Sequence, residues 1–278
     1  MIYWKIAASA DSFGPYFNRD HYAGLMVLML PICGMYAVVR RRSDAARTIL
    51  WFAVLLALCS LLLTGSRGGL ISFLVEIAIA AFIIRRYVPN ESVNSVSTTA
   101  AFGVGVACTL FLWMAPHVIP KRLATVVDVK HWDEMGVADR VQMSRDSLRI
   151  FRAHPLDGVG LGGFETAYPQ YQSEATDLII DHPHNDYAEA LAETGIAGGL
   201  LIVACLGFFF SQAFGNLKNR LKYDVGWIQC SAAIACCGLL THSAMDFNLH
   251  IPANAAWLSV CSALALALPA TATMGSQH

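Results

Sequence analysis

The chain has 278 residues, of which 56% are hydrophobic and 14% are charged, and its formal net charge is −1. Charged residues make up about 25% of a typical soluble domain, so this composition excludes an ordinary soluble protein and indicates a polytopic membrane protein. The near-neutral charge predicts no nucleic-acid partner. The eight cysteines all fall in apolar runs, where we expect small buried side chains rather than disulfides.

Apolar runs of membrane-spanning length recur along the whole chain. A spanning helix needs about 20 predominantly apolar residues, within a range of roughly 17–25. Seven runs come close to this length, and we predict a span in each, at residues 22–39, 48–64, 69–84, 99–119, 195–214, 227–243 and 252–270. The predicted fold class is an all-α, polytopic transmembrane helix bundle of about seven spans.

Basic residues in the short loops predict the orientation, because such residues concentrate on the cytoplasmic side. Alternation of the seven spans places all three basic clusters on one face, which we take as cytoplasmic, and residues 120–186 on the opposite, outer face. The clusters are Arg40, Arg41, Arg42 and Arg47; Arg85 and Arg86; and Lys218, Arg220 and Lys222.

The spans and the long loop divide the chain into three predicted parts. Residues 1–119 form N-terminal transmembrane helices, residues 120–186 a large and mostly helical periplasmic loop domain, and residues 187–278 C-terminal transmembrane helices. In the loop, residues 137–153 are predicted to form an amphipathic helix that His154-Pro155 ends. Its expected apolar stripe is Val137, Val141, Leu148 and Phe151. The sequence DGVGLGGF that follows is predicted to be a glycine-rich turn.

Polar clusters from distant parts of the chain converge at the outer membrane boundary in this topology. They lie in residues 13–24, in the GSRGG turn at 65–69, at Arg140, in HPHND at 182–186 and in residues 241–255. Ionisable groups are costly near hydrocarbon, so function is the default interpretation of such a concentration. The candidate site residues that these clusters supply are Arg19, Arg67, Arg140, His182, His184, Asn185, His242 and Asn248.

Arg67 lies between two apolar runs and is flanked by glycines. Inserting a guanidinium at the middle of a transmembrane helix costs about 2.5–3.5 kcal/mol on the translocon insertion scale. The cost is smaller near the membrane boundary. Glycines let an anion approach the backbone, and arginine binds phosphate with two parallel hydrogen bonds. An interfacial arginine that extends its charge to water is the alternative.

For Arg140, spacing alone leaves two interpretations open. The residue could bind substrate, or it could be an ordinary helix arginine that pairs with Asp139.

His184 is the candidate general base. A neutral imidazole can accept a proton from a hydroxyl, and a nearby carboxylate or amide can orient it. Asn185 or Asp186 is expected to cap the following helix, which is also the alternative explanation of the motif. His182 and His184 form a His-x-His pair, but no further local ligands complete a metal site, so we predict no metal.

These pieces, taken in order, resemble the C-terminal half to two-thirds of the O-antigen ligase and polymerase family of bacterial envelope proteins, which includes protein O-oligosaccharyltransferases. The resemblance covers nearly the whole chain. Family members usually carry several more N-terminal spans, so this chain looks truncated or split. The matching pieces are FGPYFNRDHYAGLMVLMLP, GSRGG, the loop helix from Arg140, HPLDGVGLGGF, HPHNDYAEALAETGIAGG and DFNLHIPANA.

The resemblance implies a GT-C-like enzyme of the bacterial inner membrane with its active face in the periplasm. Its reaction would be inverting glycosyl transfer without a metal or other cofactor. The donor would be a glycan on a polyprenyl pyrophosphate, such as undecaprenyl pyrophosphate, held by Arg67 and Arg140, and His184 would activate the acceptor hydroxyl. The acceptor could be a glycolipid such as lipid A core, a glycan repeat unit, as in a polymerase, or a protein.

Two alternatives to an active enzyme are a non-catalytic lipid-glycan transport subunit and an inactive truncated remnant. A transporter should place ionisable groups along a path through the membrane. Only Glu76 lies deep in a predicted span, whereas the candidate site residues gather at one boundary. This distribution favours an enzyme.

Overall fold

The computed structural model describes residues 13–39, 44–87, 137–173 and 179–267. Within these ranges the regular secondary structure is helical and contains no strand. This confirms the predicted all-α class. The helices are α1 (Arg19–Val39), α2 (Asp44–Thr64), α3 (Arg67–Tyr87), α4 (Val137–Ala153), α5 (Phe164–Ala167), α6 (Asp186–Ala213), α7 (Leu217–Arg220), α8 (Asp224–His242) and α9 (Pro252–Leu266), with 3-10 turns at Tyr168–Gln170 and Asn248–His250.

Three of these helices, α3, α6 and α8, are long and apolar enough to cross a membrane. The stretch Thr48–Thr64 of α2 and the whole of α9 are shorter apolar helices. Together they form the membrane bundle predicted from hydropathy. The predicted span at 99–119 lies outside the described residues, so the total of seven spans stays a prediction.

Helix α8 lies at the centre of the bundle, in contact with α1, α3 and α9. Its small residues permit this close packing: Ala232, Ala233 and Ala235 are buried. A Cβ atom at Gly238 would come within 1.9 Å of Oε1 of Glu76, so this glycine makes room for the one buried carboxylate in α3. Of the predicted buried cysteines, Cys230, Cys236 and Cys261 are buried, whereas Cys205 is exposed on α6.

Helix α6 bends at Gly195, whose φ of 61° and ψ of −160° are not helical. The glycine-rich turn supplies hydrogen-bond donors for backbone carbonyls at this interruption of the helix. The N–H groups of Val159 and Gly160 donate to the carbonyls of Ala192 and Glu193 at 3.0 and 2.9 Å. The bend thus separates an outer part of α6, which packs on the loop, from the predicted span that starts at residue 195.

The loop helix α4 ends at Ala153, as the His154-Pro155 pair predicts, but its buried face differs from the expected one. Val141 and Leu148 are 45% and 37% exposed, so the predicted apolar stripe is wrong. The helix instead turns Asp146 inward, where its carboxylate accepts hydrogen bonds from Gln142, Arg149 and Ser173. Ile150, on the same face, packs with Phe164, Tyr168 and Ala192.

Two of the predicted cytoplasmic clusters meet at the C-terminal end of α3. At 1.5 Å per residue, the 21 residues of α3 extend about 30 Å from Arg67. There Arg86 lines one pocket together with Lys218 and Lys222. The structure therefore gathers these basic residues at the end of the bundle remote from Arg67, and the assignment of that end to the cytoplasm stays a prediction.

The orientation is testable by cysteine labelling in intact cells. Leu161, in the glycine-rich turn, is 85% exposed, and Lys222 is exposed at the other end. We expect an impermeant maleimide to label Leu161→Cys in intact cells and Lys222→Cys only after permeabilisation. The unsubstituted chain gives the background from its native thiols. Labelling of both variants in intact cells would contradict the predicted orientation.

The bend in α6 predicts a large difference between two glycines of the same helix. An alanine Cβ at position 195 would lie 2.5 Å from the backbone of Leu156, and this φ and ψ region costs other residues about 1–3 kcal/mol. Gly195→Ala should therefore lower the free energy of unfolding by at least ~1 kcal/mol. Gly207→Ala, which meets nothing within 4 Å, is the matched control and should be neutral or stabilising. Equal unfolding temperatures for the two variants would contradict this account.

Candidate functional site

The carboxylate of Asp246, in the turn between α8 and α9, lies where the predicted polar clusters meet. Its exposure is 0%, and its Oδ1 lies 2.9 Å from Nδ1 of His184. Its other oxygen lies 3.7 Å from Nε2 of His21 in α1. Because an ionised carboxylate only accepts hydrogen bonds, it holds the proton on Nδ1 of His184 and leaves Nε2 of that ring as the basic nitrogen.

Two opposing effects set the pKa of Asp246. Burial acts to raise it, but the hydrogen bond from His184 and the neighbouring His242 act to lower it, and the net pKa lies below the ordinary value. The carboxylate is therefore ionised at neutral pH. Through its hydrogen bond to Nδ1, the carboxylate fixes the orientation of the His184 ring.

The backbone of His184 is held in a conformation that residues other than glycine rarely adopt. Its φ is 51°, and such strain costs on the order of 1–3 kcal/mol. Asn185 follows as the N-cap of α6, accepting hydrogen bonds from the N–H groups of Tyr187 and Ala188 at 3.1 Å. This confirms the predicted capping by Asn185. The cap and the Asp246 bond together hold the strained residue in place.

Arg140 joins the loop helix to the membrane bundle. Its Nη2 donates to Oδ2 of Asp20 in α1 at 2.8 Å, and its Nη1 donates to the carbonyl of Met245 at 3.0 Å. Met245 directly precedes Asp246, so the guanidinium also braces the turn that holds the buried carboxylate. Asp20 accepts a further hydrogen bond from Ser66 in the GSRGG turn.

Arg67 begins α3, and its side chain is partly exposed at the same end of the bundle. Two of the glycines beside it, Gly68 and Gly69, have a packing role, and the expectation that the glycines admit an anion stays a prediction. A Cβ atom at Gly68 would lie 2.6 Å from His242, and one at Gly69 would lie 2.8 Å from Ala23. Both glycines let α3 approach the neighbouring helices closely.

A second polar cluster lies beside the first and contains His182. Nδ1 of His182 lies 2.8 Å from Oε1 of Glu189, and Nε2 of His250 lies 3.5 Å from the same oxygen. Nδ1 of His250 lies 2.9 Å from Oδ1 of Asp186. The hydrogen bond to Glu189 raises the pKa of His182, and the hydrogen bond to Asp186 raises that of His250.

One aromatic ring organises the imidazoles of both clusters. The centroid of Phe247 lies 4.7 Å from that of His21, 4.6 Å from that of His182 and 4.9 Å from that of His184. His182 stacks on the ring, while the other two meet it edge-on. Phe247 therefore fixes the spacing of three histidines that come from two different segments.

Three predicted substrate-binding residues occupy other positions. His242 and Asn248 are buried, and their predicted role in substrate binding stays a prediction. The amide of Asn248 accepts a hydrogen bond from Asn254 at 2.9 Å, which ties the 3-10 turn to α9. Arg19 begins α1 with a partly exposed side chain, and none of the polar contacts found among the described residues joins it to Asp246.

Sequence analysis missed the carboxylates that pair with the site residues. Asp20, Asp246 and Glu189 were not among the candidates, although each lies at the predicted outer boundary. Their partners are 120, 62 and 7 residues away in sequence. The predicted position of these carboxylates near the membrane boundary could have identified them, because a carboxylate close to hydrocarbon requires a partner.

Comparison with known proteins gives two matches. A family model described as O-antigen ligase matches residues 52–203, which is more than half of the chain and includes Arg67, Arg140 and His184. The chain is also 22% identical, over 221 residues, to an uncharacterized protein of Haemophilus influenzae. That match covers 74% of this chain and 53% of the relative, so the chain spans about half the length of the relative that it matches.

The ionised carboxylate of Asp246 predicts a pH-dependent stability difference. Its folded pKa is lowered, so its contribution is present above the unfolded value of about 3.9 and is lost as the pH falls through the folded pKa. The chain should therefore unfold at a higher temperature than Asp246→Asn at pH 7, and the difference should shrink below about pH 4. Thermal unfolding across this pH range measures it. A difference that stays constant down to pH 3 would contradict the assignment.

Proposed function

This chain belongs to the O-antigen ligase family, and on that premise we propose that it is a membrane glycosyltransferase that uses a lipid-linked glycan donor. The donor is a glycan on a polyprenyl pyrophosphate, and the acceptor supplies a hydroxyl group. Transfer takes place at the periplasmic face of the bacterial inner membrane, inverts the anomeric carbon and needs no metal at the reacting atoms.

The pairing of His184 with Asp246 is the observation that carries this proposal. Nε2 of His184 takes the proton of the acceptor hydroxyl while the hydroxyl oxygen forms a bond to the anomeric carbon. The bond from that carbon to the pyrophosphate breaks on the opposite face, and its electron pair leaves with the pyrophosphate. Asp246, 2.9 Å from Nδ1, stabilises the imidazolium that results.

Arg140 and Arg67 supply positive charge for the leaving group. Negative charge develops on the pyrophosphate as the glycosidic bond breaks, and fixed cations in a partly dry site stabilise it without reorganisation. The bonds to Asp20 and Met245 hold Arg140 in one orientation before the donor binds. Two of the five N–H donors of a guanidinium suffice for these bonds, which leaves Arg140 able to bind phosphate oxygens.

The distribution of ionisable groups supports an enzyme over a transport subunit. The histidines, arginines and carboxylates of the two clusters lie at one end of the bundle, whereas Glu76 is buried against Gly238 in its interior. The ionisable groups of the two clusters therefore do not form a path through the membrane along α3.

The same transfer chemistry serves an acceptor hydroxyl on a glycolipid, a glycan repeat unit or a protein. The product of the transfer assay identifies which acceptor this chain uses.

The two histidines of the HPH segment should differ in their effect on the rate. Reconstituted protein is assayed with a polyprenyl-pyrophosphate glycan and isolated envelope acceptors. A positioned base contributes about 10²–10⁴-fold, so His184→Ala should lose at least roughly two orders of magnitude while retaining donor binding. His182→Ala should lose less. The opposite ranking would reassign the base, and a chain that binds no donor would be an inactive remnant.

The arginines should respond to loss of the planar guanidinium even when the charge is kept. A lysine ammonium does not reproduce the two parallel hydrogen bonds to phosphate, so Arg67→Lys and Arg140→Lys should both impair transfer and weaken donor binding. Arg145→Lys, at an exposed position of the same helix as Arg140, is the matched control and should transfer normally. Wild-type transfer by either Arg67→Lys or Arg140→Lys would contradict the phosphate role of that residue.

A further inference from the structure

We propose that His182, Glu189 and His250 form a binding site for a late first-row divalent cation such as Zn²⁺, on the outer face next to His184. One ligand atom from each of the three residues lies within 4.8 Å of the other two. The site is distinct from the His184–Asp246 pair, since it uses other side chains. It does not rest on the proposed glycosyl transfer.

Two of the three distances between the ligand atoms lie near the spacing of a tetrahedral zinc site, and the third, between the two histidine nitrogens, is within 4.8 Å. Zinc bonds of about 2.0–2.1 Å to nitrogen and oxygen separate tetrahedral ligand atoms by about 3.3 Å. Nε2 of His250 and Oε1 of Glu189 are 3.5 Å apart, close to this value. Nδ1 of His182 and the same oxygen are 2.8 Å apart, so an ion replacing their hydrogen bond moves them apart by about half an ångström.

His250 already has the outer partner that metal-binding histidines use. Its Nδ1 lies 2.9 Å from Oδ1 of Asp186, so the carboxylate keeps the proton on Nδ1 and turns Nε2 toward Glu189. Metal ligands in proteins are oriented by such carboxylate–histidine pairs. Asp186 is itself held in place, because its other oxygen accepts the N–H of Leu249 at 3.0 Å.

Glu189 provides the second observation that points to a cation. The residue is only 2% exposed, and its Oε2 has no hydrogen-bond partner within the described part of the chain. Asp186 and Glu193 lie close enough to His250 to act on it electrostatically, and Asp181 does so on His182. A buried carboxylate in such acidic surroundings is costly unless a positive charge is present. Protonated His182 and His250 supply that charge in the empty site, and a bound divalent ion supplies it when the two imidazoles act as neutral ligands.

The ligand set selects the class of metal. Two imidazoles and one carboxylate are the donors of three-ligand zinc sites, whereas Mg²⁺ and Ca²⁺ prefer oxygen ligands alone. His250 is exposed and His182 partly exposed, so an ion reaches the site from outside. Three protein ligands leave a fourth position for water or an anion. The ion would join the HPH segment, α6 and the turn before α9.

Zinc affinity of the purified full-length chain, prepared without a histidine tag, tests the proposal. Competition with a chromophoric chelator should show one tight site per chain. His250→Gln and Glu189→Gln should each weaken zinc binding by more than about 100-fold, and Asp186→Asn by about 10–100-fold. The matched controls His154→Gln and Glu165→Gln alter exposed residues outside the cluster and should bind as the unsubstituted chain does. Unchanged affinity in His250→Gln would overturn the site.

Cobalt substitution tests the unsubstituted chain directly and so does not depend on how variants fold. Co²⁺ at this site should give the intense visible absorption of a tetrahedral nitrogen–oxygen environment, and Zn²⁺ should abolish it. The weak spectrum of hexa-aqua Co²⁺ would overturn the proposal, as would the near-ultraviolet charge-transfer band of thiolate ligation. Neither measurement involves glycan transfer, so failure of the proposed function leaves this result unchanged.

Discussion

A buried charge needs partners, and the carboxylate of Asp246 takes its partners from separate parts of the chain. His184 approaches it from the outer loop, and His21 from α1. His242, at the end of α8, lies close enough to influence its charge. Breaking such a pairing leaves an uncompensated charge, which typically costs about 3–5 kcal/mol. This one side chain therefore helps to hold the outer loop against the end of α8.

The outer layer is attached to the bundle in two physically different ways. Apolar contacts of Ile150 and Phe164 with Ala192 hold α4 and α5 against the outer part of α6. The Arg140–Asp20 ion pair then connects α4 to α1, close to the predicted membrane boundary. Packing supplies non-directional attraction, whereas the ion pair and its bond to Met245 determine the orientation of the guanidinium. In our proposal, the guanidinium held in this way binds the pyrophosphate of the donor.

His182 and His184 are neighbours in sequence but belong to different clusters. His182 pairs with Glu189 and stacks on one side of Phe247, while His184 pairs with Asp246 and meets the same ring edge-on. The left-handed backbone at His184 separates the directions of the two side chains. In our two proposals these imidazoles serve different purposes: proton transfer at the carboxylate of Asp246 and metal binding at that of Glu189.

Residues close together in the sequence were sufficient to predict several of the helices and where they begin or end. Hydropathy indicated α3, α6 and α8, Asn185 indicated the start of α6, and His154-Pro155 the end of α4. These features depend on residues within a few positions of one another. Composition and residue order also indicated the family, because ordered motifs are themselves sequence information.

Tertiary structure alone decided how the site is assembled. The pairing of His184 with Asp246 and that of Arg140 with Asp20 join residues 62 and 120 positions apart. It also decided which face of α4 is buried: Asp146 and Ile150 lie on the inner face, whereas Val141 and Leu148 are exposed. Gly68 likewise serves packing, because its neighbour is His242 from α8. Hydropathy places such groups at one depth, but depth does not specify which of them touch, since that depends on how the helices pack.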